Sequence, residues 1–213
     1  MPVTRAKRLL FPCAAGALYA ALLLLDLTRW ADSTPIKFAA IVLCLLAALC
    51  RARTADGWLT TLALALAVSA DWFLLFPGRS YATGVALFLL VQLVYAARIV
   101  RRRGAIGWPL LAVRLAPLAL FLTPLPPLYA LALLYFAQLL CNIAAILRLL
   151  HDRMQRRFAA GLILLACCDL CVGASALGLC TGFTRIGMWL FYLPSQVCVV
   201  LSAPWKEDAD ATV

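Results

Sequence analysis

Histidine occurs once in the 213 residues, as His151; acidic residues number nine, and charged side chains of both signs make up only 13% of the chain. Soluble domains carry about a quarter charged residues, so this composition cannot cover a water-facing surface. That one histidine stands in a basic loop, and no Cys/His set of zinc-binding spacing includes it. Nine cysteines are present, but nearly all stand inside apolar runs, where they read as small packing residues. Cys167, Cys168 and Cys171 form the one local cluster. No second set accompanies them, so no metal is expected. What fills the chain is hydrocarbon: 66% of its residues are hydrophobic. Backbone polar groups in lipid must be satisfied within helices, so the chain reads as an all-α, polytopic integral membrane protein.

Each span takes about 20 mainly apolar residues to cross roughly 30 Å of hydrocarbon. Eight transmembrane helices fit, near 9–27, 36–50, 57–76, 81–98, 105–122, 126–148, 158–178 and 185–203, and no stretch is left for a soluble domain. Residues 1–213 therefore read as a single transmembrane domain. The N-terminus imitates a signal peptide, but the run Leu9 to Leu25 is long for one and leads into Asp26-Leu27-Thr28-Arg29 rather than a small-residue cleavage site. It is read as a retained first helix. Fourteen of the nineteen Lys and Arg fall in the N-terminal segment and after the even-numbered spans, among them Arg51, Arg53, Arg98, Arg101 to Arg103, Arg148, Arg153, Arg156, Arg157 and Lys206. By the positive-inside rule both termini are predicted to be cytoplasmic, in a multi-pass protein of the cell membrane. Basic loops on anionic lipid headgroups account for the net charge of +10, and no nucleic-acid partner is implied.

Two aspartates break the apolar pattern: Asp71 in Ser69-Ala70-Asp71-Trp72 and Asp169 in Cys167-Cys168-Asp169-Leu170. A carboxylate at that depth costs several kcal/mol, which marks a functional site. Counting from the expected span starts puts Asp71 in the outer half and Asp169 near the midplane. Other polar residues line one helix face each: Gln92 with Tyr95 in span four, Tyr135, Gln138 and Asn142 in span six, Tyr192 with Gln196 in span eight. Lys37 stands at the outer mouth of span two, and Tyr19 with Asp26 near the outer end of span one. Arg114 is mid-span between Pro109 and Pro117, open to three readings: neutralising an aspartate, snorkelling, or contacting a phosphate. Single polar residues in membrane helices also act as interhelical glue, at about 0.6 kcal/mol per bond. Tyr81, Trp108, Trp189 and Trp205, near span ends, read as interfacial anchors.

Spans three and four echo spans seven and eight: small residues, an Asp, a Gly-containing connection, then an aromatic and a Gln. Four spans separate the copies, so the echo points to two parallel four-helix repeats with the aspartates facing each other.

In order and spacing these residues resemble the YhhN-like lysoplasmalogenase family of eight-span membrane proteins. The likeness runs through Ile36-Lys37, Ser69-Ala70-Asp71 with Leu74-Leu75, Gly84, Phe88 to Tyr95, Cys168-Asp169, and Tyr192-Leu193-Pro194-Ser195-Gln196. It departs at Gln92, where the family usually has His, at Phe38, where it has Pro, and at Ala70, where it has Gly. Glutamine cannot shuttle a proton as imidazole does. The resemblance implies hydrolysis of the vinyl ether bond of lysoplasmalogens to a fatty aldehyde and a glycerophospho-base, within lipid metabolism and without a cofactor. Two acids suit that chemistry, one donating a proton to the β-carbon and the other steadying the oxocarbenium ion and activating water. On this reading Asp71 and Asp169 are catalytic. Lys37 meets the headgroup phosphate, Gln92, Tyr95, Tyr192 and Gln196 position the ether and water, and the partners are an ether-lipid or lysophospholipid substrate and membrane lipids. The alternative is a small proton- or cation-coupled transporter or lipid-handling protein, in which two repeats rock around paired carboxylates; a non-catalytic membrane scaffold is a third reading.

Overall fold

A computed structural model describes residues 5–103, 108–179 and 181–204. Cys180, Trp205 and Lys206 lie outside the described residues, as does the side chain of Trp108. Eight α-helices form among those described: α1 (Arg5–Thr28), α2 (Thr34–Leu49), α3 (Ala55–Leu75), α4 (Tyr81–Arg103), α5 (Trp108–Leu115), α6 (Pro127–Ile146), α7 (Arg153–Ala176) and α8 (Thr181–Leu201). Six of them, all but α2 and α5, are long and apolar enough to cross a membrane. Helix α2 has 16 residues, about 24 Å of rise against a core of about 30 Å. Helix α5 is followed by a 3-10 segment, Ala116–Leu122, so the described part of the 105–122 span expected from sequence is not one continuous α-helix. Pro117 is the reason, because a residue without an N–H cannot continue the α-helical ladder.

The starts of α3 and α7 are fixed in the same way. Thr54 accepts a hydrogen bond from the Gly57 N–H at 3.0 Å, and Asp152 accepts from the Gln155 N–H at 2.7 Å. Each satisfies one of the orphan donors of a first helical turn. Large apolar side chains such as Leu62, Leu93, Leu133 and Ile163 lie exposed on the outer surface of the helices, as lipid contact requires.

Helices α2, α3, α4, α6, α7 and α8 pack in that order into a closed ring, α8 returning to α2. Helix α1 lies against α2 and α8, and α5 packs on α6 and its own 3-10 extension. Close approach depends on small residues. A Cβ on Gly84 would meet the Leu74 side chain at 2.6 Å and the Ala70 carbonyl at 3.2 Å, so glycine there lets α4 press against α3 just beneath Asp71. In α8 the internal Pro194 removes the N–H that would bond the Leu190 carbonyl. The Tyr19 hydroxyl of α1 donates to that carbonyl at 3.0 Å instead.

One end of the ring is clasped by charge. Arg98, 2% exposed, donates to both oxygens of Asp56 at 2.8 and 2.7 Å and to the hydroxyl and carbonyl of Ser202 at 2.8 and 2.9 Å. Its guanidinium lies over Phe158, 4.3 Å from the ring centre. Arg102 then bridges Asp56, at 3.1 Å, and Asp152, at 3.6 Å. The starts of α3 and α7 therefore sit at one level.

Candidate functional site

Both interior aspartates lie sixteen residues beyond the first residue of their helices, Asp71 in α3 and Asp169 in α7. That is about 24 Å of rise from two helix starts held level by Arg102. Counted from the expected span starts at 57 and 158, Asp71 falls in the outer half and Asp169 near the midplane. Polar and basic residues 153–157 extend α7 by more than a turn ahead of the expected span, so the two carboxyls stand equally far along their helices.

Each carboxyl is met by a tyrosine. Tyr192 of α8 donates to Asp71 at 2.7 Å, and Tyr135 of α6 donates to Asp169 at 2.6 Å. Asp71 is buried and Asp169 half-buried. The rings of both tyrosines pack on Phe88 of α4, with centroids 6.1 Å away for Tyr135 and 6.2 Å for Tyr192. One phenylalanine thus touches both Asp–Tyr pairs. The Cys168 thiol lies within electrostatic reach of both carboxyls. Asp26 and Asp56 differ in being ion-paired; among the described residues no Lys or Arg bonds Asp71 or Asp169.

Lys37 lies near the start of α2, where its ammonium pairs with Asp26 at 2.8 Å, and the Ser33 hydroxyl donates to the same carboxylate. The ammonium also lies over Trp189, 5.1 Å from the ring centre, and Trp189 meets Tyr192 edge-on at 5.3 Å. Trp189 is therefore an interior contact between Lys37 and the Asp71–Tyr192 pair, not the interfacial anchor its position in sequence indicated. Tyr81, at the start of α4, is exposed.

Of the residues expected to position substrate, Tyr192 is the one bonded to Asp71 or Asp169. Gln92 lies one turn beyond Phe88 and accepts from the Asn142 amide at 3.0 Å. Tyr95, fully buried, packs edge-on against Phe158 at 5.3 Å. Gln196 lies one turn beyond Tyr192. Gln92 Nε2, the Tyr95 hydroxyl and Gln196 Oε1 are buried without a hydrogen-bond partner among the described residues. Arg114 reaches neither aspartate: it bonds Gln138 and Asn142 of α6. Tyr135 is the site residue that sequence reasoning did not assign. Its signal was present, since it stands on the polar face of span six with Gln138 and Asn142. No group of three His, Cys, Asp or Glu able to hold a metal occurs among the described residues.

An all-helical, multi-pass membrane protein with two tyrosine-held carboxyls inside a helical ring is the class that fold and site define. The family comparison narrows it. The chain belongs to the YhhN family, whose model matches residues 33–203. Comparisons with curated proteins and with solved structures returned no match.

Proposed function

We propose that this YhhN-family protein is a lysoplasmalogenase-type hydrolase, cleaving the vinyl ether bond of lysoplasmalogens at Asp71 and Asp169. The observation that carries the reading is the pair of interior carboxyls, each held by one tyrosine hydroxyl, with both tyrosine rings packed on Phe88. One carboxylic acid protonates the β-carbon of the vinyl ether, and the resulting oxocarbenium ion is steadied by the other group as carboxylate. Water adds to the cation and gives its proton to that carboxylate. The hemiacetal then breaks into a fatty aldehyde and a free glycerol hydroxyl, so a proton taken up in the first step is returned in the later ones. Tyr192 orients Asp71, and Lys37 borders the site through Trp189. Gln92, Tyr95 and Gln196 offer their unpartnered polar atoms to the bound lipid and water.

The same reading takes α2 and the α5 segment as the two shorter of eight spans, in two parallel halves. Packing supports it: α1 lies on α2 as α5 lies on α6, and α8 meets α2 as α4 meets α6. Both termini then face the cytoplasm, in a cell-membrane protein. This two-fold arrangement around a carboxyl pair also favours one alternative, a small proton- or cation-coupled transporter whose halves rock about the site. Incubating purified protein with lysophospholipids and lysoplasmalogens and identifying products by mass spectrometry separates the two. Aldehyde release supports the hydrolase. No release, together with gradient-driven solute uptake that needs both aspartates, replaces it with the transporter.

A further inference from the structure

Arg114 is the one charged residue of α5, 6% exposed, and its surroundings are neutral. Its Nη1 donates to Gln138 Oε1 at 3.1 Å and its Nη2 to Asn142 Oδ1 at 2.7 Å, while Nε is buried with no partner. Gln138 Nε2 donates in return to the Arg114 carbonyl at 2.6 Å, a group that Pro117, lacking an N–H, cannot serve in a 3-10 turn. Both acceptors are neutral amide oxygens, which an uncharged N–H donor also satisfies, so the bonds that dock α5 onto α6 do not themselves call for a charge. No carboxylate bonds this guanidinium among the described residues, and an uncompensated buried cation is costly.

A second orphan donor is tied to the first. Asn142 Nδ2 donates to Gln92 Oε1 at 3.0 Å and to the Gln92 carbonyl at 2.9 Å. Gln92 Nε2, on a fully buried side chain, is left without a partner. Two unsatisfied donors, one cationic, thus flank a single asparagine. A guanidinium with Nε and further Nη hydrogens unspent presents the fork that fits two oxygens of a phosphate.

Position says which phosphate. Gln138 lies one turn from Tyr135, the partner of Asp169, and Gln92 one turn from Phe88, on which the tyrosines of both Asp–Tyr pairs pack. One turn is about 5.4 Å of rise. In a lysoplasmalogen, five covalent bonds separate the ether oxygen from phosphorus, a reach of roughly 6 Å when extended. We infer that Arg114 and Gln92 form a receptor for a phosphate group, that of a lysophospholipid whose sn-1 linkage lies at Asp71 and Asp169. The inference rests on the proposed hydrolase for the identity of the lipid. It also moves the phosphate away from Lys37, whose charge Asp26 already meets.

The test is binding without turnover, read by thermal shift and native mass spectrometry of the full chain in detergent. The probes are a 1-acyl lysophosphatidylethanolamine, which has no vinyl ether, a monoacylglycerol of the same chain length, and inorganic phosphate. The lysophospholipid should bind wild-type protein at least about tenfold more tightly than the monoacylglycerol, the size of one charge-assisted contact. Arg114→Gln should erase the difference, and Asp71→Asn should keep it. Gln92→Met should narrow it while sparing every bond of Arg114, and it guards against misfolding of the Arg114 variant. Equal binding of the two lipids to wild type, or a preference that survives in both donor variants, overturns the inference. Stabilisation by inorganic phosphate alone to the same extent overturns the assignment to a lipid. Selective binding without aldehyde release from lysoplasmalogens would leave this site standing and remove the hydrolase reading.

Discussion

At the scale of single residues, the chemistry is testable by changes that remove one atom's function. Asp71→Asn and Asp169→Asn preserve size, but an amide neither delivers the proton nor carries the charge that stabilises an oxocarbenium ion. Each should lower aldehyde release by at least about a thousandfold, with helicity and melting temperature retained. Activity within tenfold of wild type in either would exclude that carboxyl. Gln92→His should retain activity or raise it, since imidazole keeps an N–H donor at that point; a kinetic comparison of KM and kcat decides. The aspartates were legible in the sequence because a charge in hydrocarbon is an anomaly that one dimension displays. Their partners were not. Several interior tyrosines were available, and only the packing of α8 on α3 and α6 on α7 selects Tyr192 and Tyr135.

Elements are joined at places where the sequence carries half of the signal. Pro194 announces a broken bond in α8, but nothing local says that Tyr19 of α1 mends it. Tyr19→Phe should cost about 0.6 kcal/mol, typical of a membrane hydrogen bond. In a Pro194→Ala background, which restores the N–H to Leu190, the same change should cost less. Equal costs in denaturation of the two backgrounds would break the link. The clasp between α3, α4 and α8 was hidden for the opposite reason: Asp56 and Arg98 stand at span ends, where charge is ordinary. Asp56→Asn leaves Arg98 buried without its counter-charge and should destabilise the protein by about 3–5 kcal/mol. Arg98→Lys should not restore the wild-type melting point, because an ammonium cannot reproduce the two-pronged contact.

The whole molecule follows from composition: too little charge for a water-soluble surface, enough hydrocarbon for a stack of spans, and six described helices that meet the length of a crossing. Span ends were less legible, since α7 runs more than a turn past its apolar stretch on residues that take water as readily as lipid headgroups. Topology is open to a direct check. Cysteines introduced in the 101–103 segment of a variant lacking reactive native thiols should react with a membrane-impermeant reagent only after the cytoplasmic face is opened. Labelling in intact cells would invert the topology. Asp71 and Asp169 stand equally far along helices whose starts Arg102 clasps, and this has an electrical corollary. A charge moved fully across a membrane gains about 2.3 kcal/mol per 100 mV, but a proton exchanged between groups at one level does no work against that field. Turnover by these two carboxyls should therefore be indifferent to an imposed potential in proteoliposomes, whereas a device that carries ions past them would run faster or slower with its sign.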